Sequence, residues 1–440
     1  MKRMTLALAC LGALQTAAAA DTELHQAVAR EYKERLGALF DHFHRNPELS
    51  FMEVNTAARI AQELRAAGFQ VTEKVGGTGV VAILKNGPGP MAMLRADMDG
   101  LPVEEKSGLP NASKVMQKDR EGNLFPVTHA CGHDVHITSL VGTARQMAAR
   151  KAEWSGTLML IAQPAEERVG GALAMMRDRL WERFGKPDYA LAFHVSAINV
   201  LGKIEALEGA PYSGADTVEV VVHGVGAHGA SPHTGKDPVV IGAQIVMGLQ
   251  ALVSRDLPPR EPGVITVGSF HAGTKANIIS DTAELKMTVR SENPQTRKLL
   301  LDGIRRVALN TARAAGVSED KLPTVREVDD PAPPTVNDIP LTRRLKAVWV
   351  QNMGPDILDA ELPRLGMGAE DFPAFTSQPY IPSVYFRVGG TPKAALDAAS
   401  AGGPPVAGHH SGLFKITPEQ SVRTGVEAST LALLDLLKKP

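Results

Sequence analysis

The chain has 440 residues, of which 44% are hydrophobic and 22% are charged, and its formal net charge is −1. These values are ordinary for a globular enzyme of two or three domains and exclude a disordered, collagen-like or multi-span membrane protein. The sequence has no excess of positive charge and no basic stripe, so the electrostatic signature of a nucleic-acid-binding protein is also missing.

The N-terminal segment has the features of a cleavable export signal. Lys2 and Arg3 precede a short apolar stretch, which ends in the small residues Ala18-Ala19-Ala20. This order is typical of a secretory signal peptide. We therefore expect residues 1–20 to be removed and the mature protein to be periplasmic or secreted. Cleavage would leave Cys131 as the single cysteine, which excludes an internal disulfide.

Helices and strands alternate over the first half of the chain. The apolar spacing predicts helices over 23–43, 53–67, 138–149 and 172–184, and strands over 79–84, 91–94, 157–161 and 189–193. Each predicted strand is a continuous apolar run. This pattern is typical of an α/β fold with a mostly parallel sheet and helices on both faces.

The pattern changes near residue 212. Strands are predicted over 216–223, 264–269 and 283–290, with helices over 238–254 and 295–315, which indicates a smaller α+β domain. Beyond a proline-rich run, further elements are predicted over 341–352, 383–388 and 418–437. We therefore predict a first domain over 21–211, an inserted domain over 212–323, and the second part of the first domain over 324–440.

One glycine motif does not meet the requirements of its usual function. Gly224, Gly226 and Gly229 follow a predicted strand and fit the spacing of a dinucleotide-binding loop. That function needs a helix to begin at the third glycine and an acidic residue about 20 positions later. Pro232 and Pro238 delay the helix, and the following segment contains no acidic residue where one is needed. The dinucleotide-binding interpretation is rejected.

The richest cluster of metal-binding residue types is His129-Ala-Cys131-Gly-His133-Asp-Val-His136. A thiolate and an imidazole two residues apart can reach one metal ion, although this pair alone is weak evidence. Glu166 and Glu167 follow a predicted strand, and adjacent carboxylates are costly to bury without a cation or a proton. A solvated acidic loop would explain the same pair of glutamates.

Histidines at two further places extend the pattern. His194 follows the apolar run 190–193, where the ligand crevice of an α/β sheet lies, although a lone histidine there is also compatible with a core residue. His409 and His410 follow a Gly-Pro-rich loop, and either one is a candidate ligand.

Together these segments resemble one family, the dinuclear metallo-amidohydrolases and metallopeptidases that include hippurate hydrolase, N-acyl-amino-acid amidohydrolase (aminoacylase) and the plant auxin-conjugate (IAA-amino acid) hydrolases. The resemblance covers nearly the whole mature chain. It rests on eight motifs in order: Arg95-Ala-Asp97-Met-Asp99-Gly-Leu-Pro, Cys131-Gly-His133-Asp-Val-His136, Gln163-Pro-Ala-Glu166-Glu167, Phe193-His194-Val, Gly226-Ala-His228-Gly-Ala-Ser-Pro-His, Ala276-Asn277-Ile-Ile, Gly368-Ala-Glu-Asp-Phe372 and His410-Ser-Gly-Leu-Phe.

The resemblance implies a two-metal site and a role for each matching residue. It implies Cys131 as the bridging ligand, with further metal ligands at His133, Glu167, His194 and His410. It implies Glu166 as the general base, and Asp97 as the carboxylate that orients a ligand histidine. In the inserted domain, which would serve as a lid and dimerisation domain, it implies that His228 reaches the partner subunit's site and that Asn277 and Arg290 receive the substrate carboxylate.

The function implied is metal-dependent hydrolysis of the amide bond of N-acyl amino acids, through a metal-bridging water activated by Glu166. Two divalent ions are expected as cofactors; thiolate, imidazole and carboxylate together favour Zn²⁺, and Mn²⁺, Co²⁺ or Ni²⁺ also suit them. The expected partners are a small-molecule substrate and a second copy of the chain, with no nucleic acid and no membrane span. A dipeptidase or carboxypeptidase using the same site is the main alternative. A non-catalytic exported binding protein is disfavoured because it would have no use for Glu166 and His228.

Overall fold

The computed structural model of the chain describes residues 23–328, 330–362 and 366–439. The predicted signal peptide, residues 1–20, lies outside the described residues. The described residues form two compact units. Of the described residues, the first unit contains 23–211, 336–362 and 374–439, and the second contains 212–328, 330–335 and 366–373.

The strands are numbered here in chain order, and two of them form the short hairpin β4–β5. Their bounds are β1 Gln70–Val75, β2 Gly79–Asn86, β3 Met91–Asp97, β4 Met116–Lys118, β5 Leu124–Pro126, β6 Gly156–Gln163, β7 Tyr189–Val200, β8 Ile204–Glu205, β9 Gly209–Tyr212, β10 Gly214–His223, β11 Ala227–His228, β12 Gly263–Ala272, β13 Ile278–Ile279, β14 Thr282–Ser291, β15 Thr324–Glu327, β16 Thr335–Asn337 and β17 Ser383–Thr391.

The helices are numbered in the same way. Their bounds are α1 23–45 with a π-type turn at Tyr32–Leu36, α2 Val54–Ala66, α3 His133–Ala149, α4 Gly171–Arg177, α5 Leu180–Phe184, α6 Pro238–Ala251, α7 Pro294–Ala314, α8 Ile339–Met353, α9 Pro373–Thr376, α10 Lys393–Ser400 and α11 Pro418–Leu436. Short 3₁₀ turns lie at Glu166–Arg168, Pro232–Thr234 and Glu319–Lys321, and a π-type turn at Leu252–Asp256 continues α6.

The first unit is built on a seven-stranded sheet with the order β1-β2-β6-β3-β7-β17-β8. Its four middle strands, β6, β3, β7 and β17, pair in parallel, which confirms the predicted α/β fold with a parallel sheet. The strands at both edges pair antiparallel. The reason at one edge is that only three residues join β1 to β2, and parallel strands need a much longer crossover.

Several predicted boundaries were wrong, and two of them concern the site. Helix α3 begins at His133, five residues before its predicted start. Strand β7 continues to Val200, so His194 lies inside the strand and not at its end. The predicted helix over 172–184 is broken between α4 and α5, where Arg179 has a left-handed backbone (φ 59°).

The second unit contains a four-stranded antiparallel sheet with the order β12-β14-β10-β15. Burial alternates along β14, so one face of the sheet is apolar. Ile241 and Ile245 of α6 and Leu300 and Ile304 of α7 are buried in one cluster with that face. Among the described residues one helix, Pro238–Asp256, is apolar and long enough to cross a membrane, but a core helix has the same properties and this helix contributes to the core of the second unit.

Candidate metal centre

A tight turn before α3 places two of the predicted ligands next to each other. Gly132 has a left-handed backbone (φ 83°), and a Cβ at this position would lie 2.3 Å from Cγ1 of Val195. Only glycine fits both requirements. Cys131 therefore lies just before the helix and His133 is its first residue, with both side chains buried.

The structure brings all five predicted metal ligands together in two overlapping groups. Cys131, His133 and His194 form one group, and Cys131, Glu167 and His410 form the other; the ligand atoms in each group lie within 4.8 Å of one another. The Cys131 sulphur belongs to both groups. It lies 3.3 Å from Nε2 of His194, and Nε2 of His410 lies 3.3 Å from Oε2 of Glu167.

Two of the histidines are oriented by backbone carbonyls. Nδ1 of His133 donates a hydrogen bond to the carbonyl of Asp99 (2.8 Å), and Nδ1 of His194 donates to the carbonyl of Val195 (2.6 Å). In the neutral form of each ring this leaves Nε2 without a proton, and that atom is then available to bind a metal, the usual arrangement around ligand histidines.

Within the five predicted ligands, two buried polar atoms have no hydrogen-bond partner among the described residues: Nε2 of His133 and Oε1 of Glu167. Buried polar atoms are almost always paired, so each such atom needs an explanation. A cation bound between these ligands would satisfy both atoms. The donor set of thiolate, imidazole and carboxylate therefore fits divalent metal ions.

The electrostatics of the centre also favour bound cations. Burial, with Asp99 and Asp97 nearby, raises the pKa of Glu167 to about 7. Burial and the neighbouring Glu167 also raise the pKa of the Cys131 thiol. Burial alone would lower the pKa of His133, but Asp97 and Asp99 raise it to about 10. These groups retain protons because negative charge is concentrated here, and cations would replace those protons.

The turn that carries Glu166 and Glu167 directly follows β6. Ala165 and Val169 flank the 3₁₀ turn and both have left-handed backbones, with φ of 50° and 51°. Glu166 is buried, and its Oε2 lies 3.8 Å from Nε2 of His133. Glu166 thus lies beside the ligand groups without belonging to either of the two that share Cys131.

Asp99 lies in one of the motifs, but no role was predicted for it from the sequence. Its Oδ1 accepts a hydrogen bond from the Glu166 backbone N–H and its Oδ2 accepts one from the Glu167 N–H, both at 3.1 Å. Its carbonyl orients His133. The available signal was a second acidic residue two positions after the strand-end Asp97, which brings it over the same end of the sheet.

Asp97 was predicted to orient a ligand histidine, and in the structure it pairs with His136. Asp97 accepts hydrogen bonds from Nδ1 of His136 (2.5 Å) and from Arg95 (2.6 Å), and His136 is not one of the predicted ligands. Nε2 of His136 accepts a hydrogen bond from the Val195 N–H (2.8 Å). Asp97 therefore orients His136, whereas Nδ1 of the predicted ligand His133 donates to Asp99. Asp97 is the last residue of β3 and Asp99 lies two residues later, so sequence spacing alone does not show which histidine each of them orients.

The two C-terminal histidines have different surroundings. Nε2 of His409 accepts a hydrogen bond from the Ala197 N–H (3.3 Å). His410 instead faces Glu167, and its side chain is 59% exposed. The geometry favours His410 as the ligand. Its exposure leaves one side of the centre accessible to solvent.

The other predicted site residues belong to the second unit. His228 and Asn277 lie on adjacent segments, where the Gly229 N–H donates to the Asn277 carbonyl (2.8 Å). Nδ1 of His228 accepts from the Ala230 N–H (3.0 Å), so Nε2 carries the proton of the neutral ring. Arg290 is half-buried on β14, where burial lowers its pKa.

Comparison with known proteins identifies the family of the chain. Residues 93–400 match the model of Peptidase family M20/M25/M40. Hippurate hydrolase of Campylobacter jejuni is 40% identical over 272 residues, which cover 62% of this chain and 68% of that protein. Thermostable carboxypeptidase 2 of Saccharolobus solfataricus is 36% identical over 350 residues, covering 79% and 83%.

A solved structure shares the fold. It is a Bacillus subtilis protein described as a dinuclear metal binding peptidase from the M20 family. It superposes with a TM-score of 0.74 at 26% identity and covers 93% of this chain and 99% of its own. By the family match and its sequence relatives, the chain belongs to peptidase family M20/M25/M40 and is a metal-dependent amidohydrolase or peptidase.

Proposed function

We propose that this protein hydrolyses the amide bond of N-acyl amino acids. The observation that carries the proposal is the pair of ligand groups sharing Cys131, with the buried Glu166 beside them. Two cations, Zn²⁺ by the donor chemistry, would be held by Cys131, His133, Glu167, His194 and His410. When bound, they would acidify water and polarise the acyl carbonyl.

Glu166 is proposed as the general base. Its carboxylate takes a proton from the attacking water and then donates it to the departing amine, which would otherwise be a poor leaving group. Its position supports this role, because its buried carboxylate lies beside the ligand groups, with Oε2 3.8 Å from Nε2 of His133. The two adjacent glutamates would thus have different roles: Glu167 would bind metal and Glu166 would transfer the proton.

The second unit is proposed to recognise the substrate. Arg290 and Asn277 would bind its free carboxylate, which favours N-acyl amino acids over simple amides. The Nε2–H of His228 would donate to the carbonyl oxygen as negative charge develops there, in the site of the partner subunit of a homodimer. Export to the periplasm or outside is proposed from the N-terminal residues; N-terminal sequencing of the purified protein should begin at Asp21.

Names of relatives support two substrate classes. One relative is named for hippurate, which is an N-acyl amino acid, and another as a carboxypeptidase. We propose the N-acyl amino acid as the main substrate. A peptidase with the same site is the second candidate.

The first test combines metal analysis with a substrate panel. Purified protein should contain two metal ions per chain and should hydrolyse N-benzoylglycine faster than a dipeptide or N-benzoylglycine amide. Glu166→Gln should keep both ions but lose at least about 100-fold in kcat, the range expected for a lost general base. Retained turnover in this variant would exclude Glu166 as the base, and a preference for the dipeptide would favour the peptidase alternative.

A further inference from the structure

Residues 49–53 form the second part of the connection between α1 and α2, and this loop reaches the turn that carries Glu166 and Glu167. The Ser50 hydroxyl donates a hydrogen bond to Oδ2 of Asp99 (2.6 Å), the carboxylate that holds the backbone N–H groups of both glutamates. None of the five residues of this loop was assigned a role from the sequence. Through Ser50 the loop nevertheless contacts Asp99, one of two carboxylates that anchor the glutamate turn, residues 165–169, by binding its backbone N–H groups.

Glu53 supplies the second anchor. Its Oε1 accepts hydrogen bonds from the Ala165 N–H (2.8 Å) and the Phe51 N–H (2.9 Å), and its Oε2 accepts one from the Thr78 hydroxyl (2.5 Å). Glu53 is fully buried. Consecutive backbone N–H groups at 165, 166 and 167 are therefore held by two buried carboxylates, and both connect to the same loop.

The hydrogen bonds from these two carboxylates lie at a strained part of the backbone. Ala165 is left-handed (φ 50°), a conformation that residues with a side chain adopt only when their surroundings enforce it. Without the Glu53 hydrogen bond, the unpaired Ala165 N–H would favour a different backbone, and the two side chains that follow would move with it. A displacement of about 1 Å at a reacting group lowers rates by about 100-fold.

We propose that Ser50 and Glu53 are positioning residues that set the placement of Glu166 and Glu167. Neither residue belongs to a ligand group, and both act through backbone N–H groups, Ser50 by way of Asp99. The rate effect depends on the proposed function; the effect on metal affinity does not.

The chain offers a matched control in the residue that precedes this loop. Glu48 is also a buried carboxylate, but its side chain accepts from the N–H groups of Asn55 and Thr56 at the start of α2. Its backbone carbonyl accepts from the Gly100 N–H, a contact that a side-chain substitution leaves in place. Glu48→Ala should lower the unfolding temperature while leaving metal affinity and kcat close to wild type.

The test compares Glu53→Ala, Glu53→Gln, Ser50→Ala and Glu48→Ala in the full chain. Zn²⁺ affinity is measured by competition with a chelator, and kcat and KM are measured with N-benzoylglycine at saturating Zn²⁺. We expect Glu53→Ala to weaken Zn²⁺ binding and lower kcat, each by about tenfold or more, with KM changed less than twofold. Ser50→Ala should change both in the same direction by less.

Glu53→Gln should recover most of the loss, because its amide oxygen can still accept from Ala165 and its NH₂ can donate to Thr78. The proposal is wrong if Glu53→Ala behaves like Glu48→Ala, or if Glu53→Gln is as impaired as Glu53→Ala. If Glu53→Ala does not fold, an unchanged Zn²⁺ affinity and kcat in Ser50→Ala would equally overturn it. An inactive wild type would contradict the proposed function, and the Zn²⁺ affinities would still decide the positioning role.

Discussion

At the scale of single residues, the clearest distinction is between His409 and His410. They are neighbours in the chain, but a left-handed backbone at His410 (φ 64°) separates their directions. One ring accepts a backbone hydrogen bond, whereas the other faces Glu167. The two imidazole rings therefore have different contacts, because the backbone changes direction between the two residues.

Replacing each histidine in turn tests this assignment. His410→Ala should lose at least one of two bound metal ions on dialysis, because it removes a donor from the group with Cys131 and Glu167. His409→Ala should keep both ions, since its Nε2 is already occupied by the Ala197 N–H. Metal content per chain is the measurement, and the opposite pattern would reverse the assignment.

The carboxylate contacts of His44 predict how the stability of the fold depends on pH. Its Nδ1 lies 2.7 Å from Oδ2 of Asp134 and its Nε2 lies 3.4 Å from Oε1 of Glu105. Burial alone would lower the pKa of His44, but these two carboxylates raise it to about 10. Because the pKa is raised on folding, the stabilisation is complete below the unfolded value near 6.5 and is lost as the pH rises through about 10.

The pKa of Glu105 sets the lower end of the pH range in which its ion pair with His44 stabilises the fold. Burial opposes ionisation of Glu105, but the hydrogen bonds from His44 and Ser107 lower its pKa to about 2. This stabilisation is therefore complete above the unfolded value near 4.5 and is lost as the pH falls through about 2. His44→Gln should therefore lower the unfolding temperature most between about pH 4.5 and 6.5, and the difference from wild type should shrink towards pH 10. Phe40→Leu is the control, because it removes packing against the same ring without removing a charge. A His44→Gln difference that stays constant to pH 10 would contradict the prediction.

At the scale of elements, the turn around Glu166–Arg168 combines strain with function. Val169 is β-branched and left-handed (φ 51°), a combination that costs about 1–3 kcal/mol. Such strain persists only where neighbouring contacts enforce it, and here the Val169 N–H donates to the Glu166 carbonyl (2.7 Å). The start of the same turn is held by the carboxylates of Glu53 and Asp99, which accept from the Ala165 and Glu166 N–H groups.

Two substitutions at Val169 separate backbone strain from packing. Val169→Gly should be more stable than Val169→Ala by about 1 kcal/mol, because glycine adopts the left-handed region without cost. The reverse order is expected at Val141, a buried position inside α3 where glycine is the poorer helix former. Free energies of unfolding from denaturant titration are the measurement. The same order at both positions would show that Val169 is not strained.

At the scale of the whole molecule, the proposed homodimer makes a prediction about mixed subunits. His228 is exposed, and its Nε2 carries the proton, as a donor to a neighbouring site requires. His228→Ala and Glu166→Ala should each be nearly inactive alone. Heterodimers of the two should regain up to about a quarter to a half of wild-type activity, since one of two sites would contain both groups. Verified heterodimers without recovery would argue against shared sites.

Much of the fold follows from local patterns. Helices α2, α7 and α11 lie within two residues of their predicted bounds because their apolar spacing is regular. The parallel centre of the sheet was also predicted correctly. The start of α3 was missed because His133 to Ile137 include buried polar residues, which hide the helical pattern. The strained turns at Ala165 and Val169 leave no signal in composition.

The sequence by itself determined the residue types of the metal centre, since ligand chemistry depends on side-chain identity and motifs keep those residues at set spacings. Only the tertiary structure showed that the Asp99 carbonyl orients His133 and that His410, not its neighbour His409, faces Glu167. It also showed that Ser50 and Glu53 reach the glutamate turn. The physical reason is that hydrogen bonds depend on direction and on distances of about 3 Å between residues far apart in the chain, and no local pattern records these.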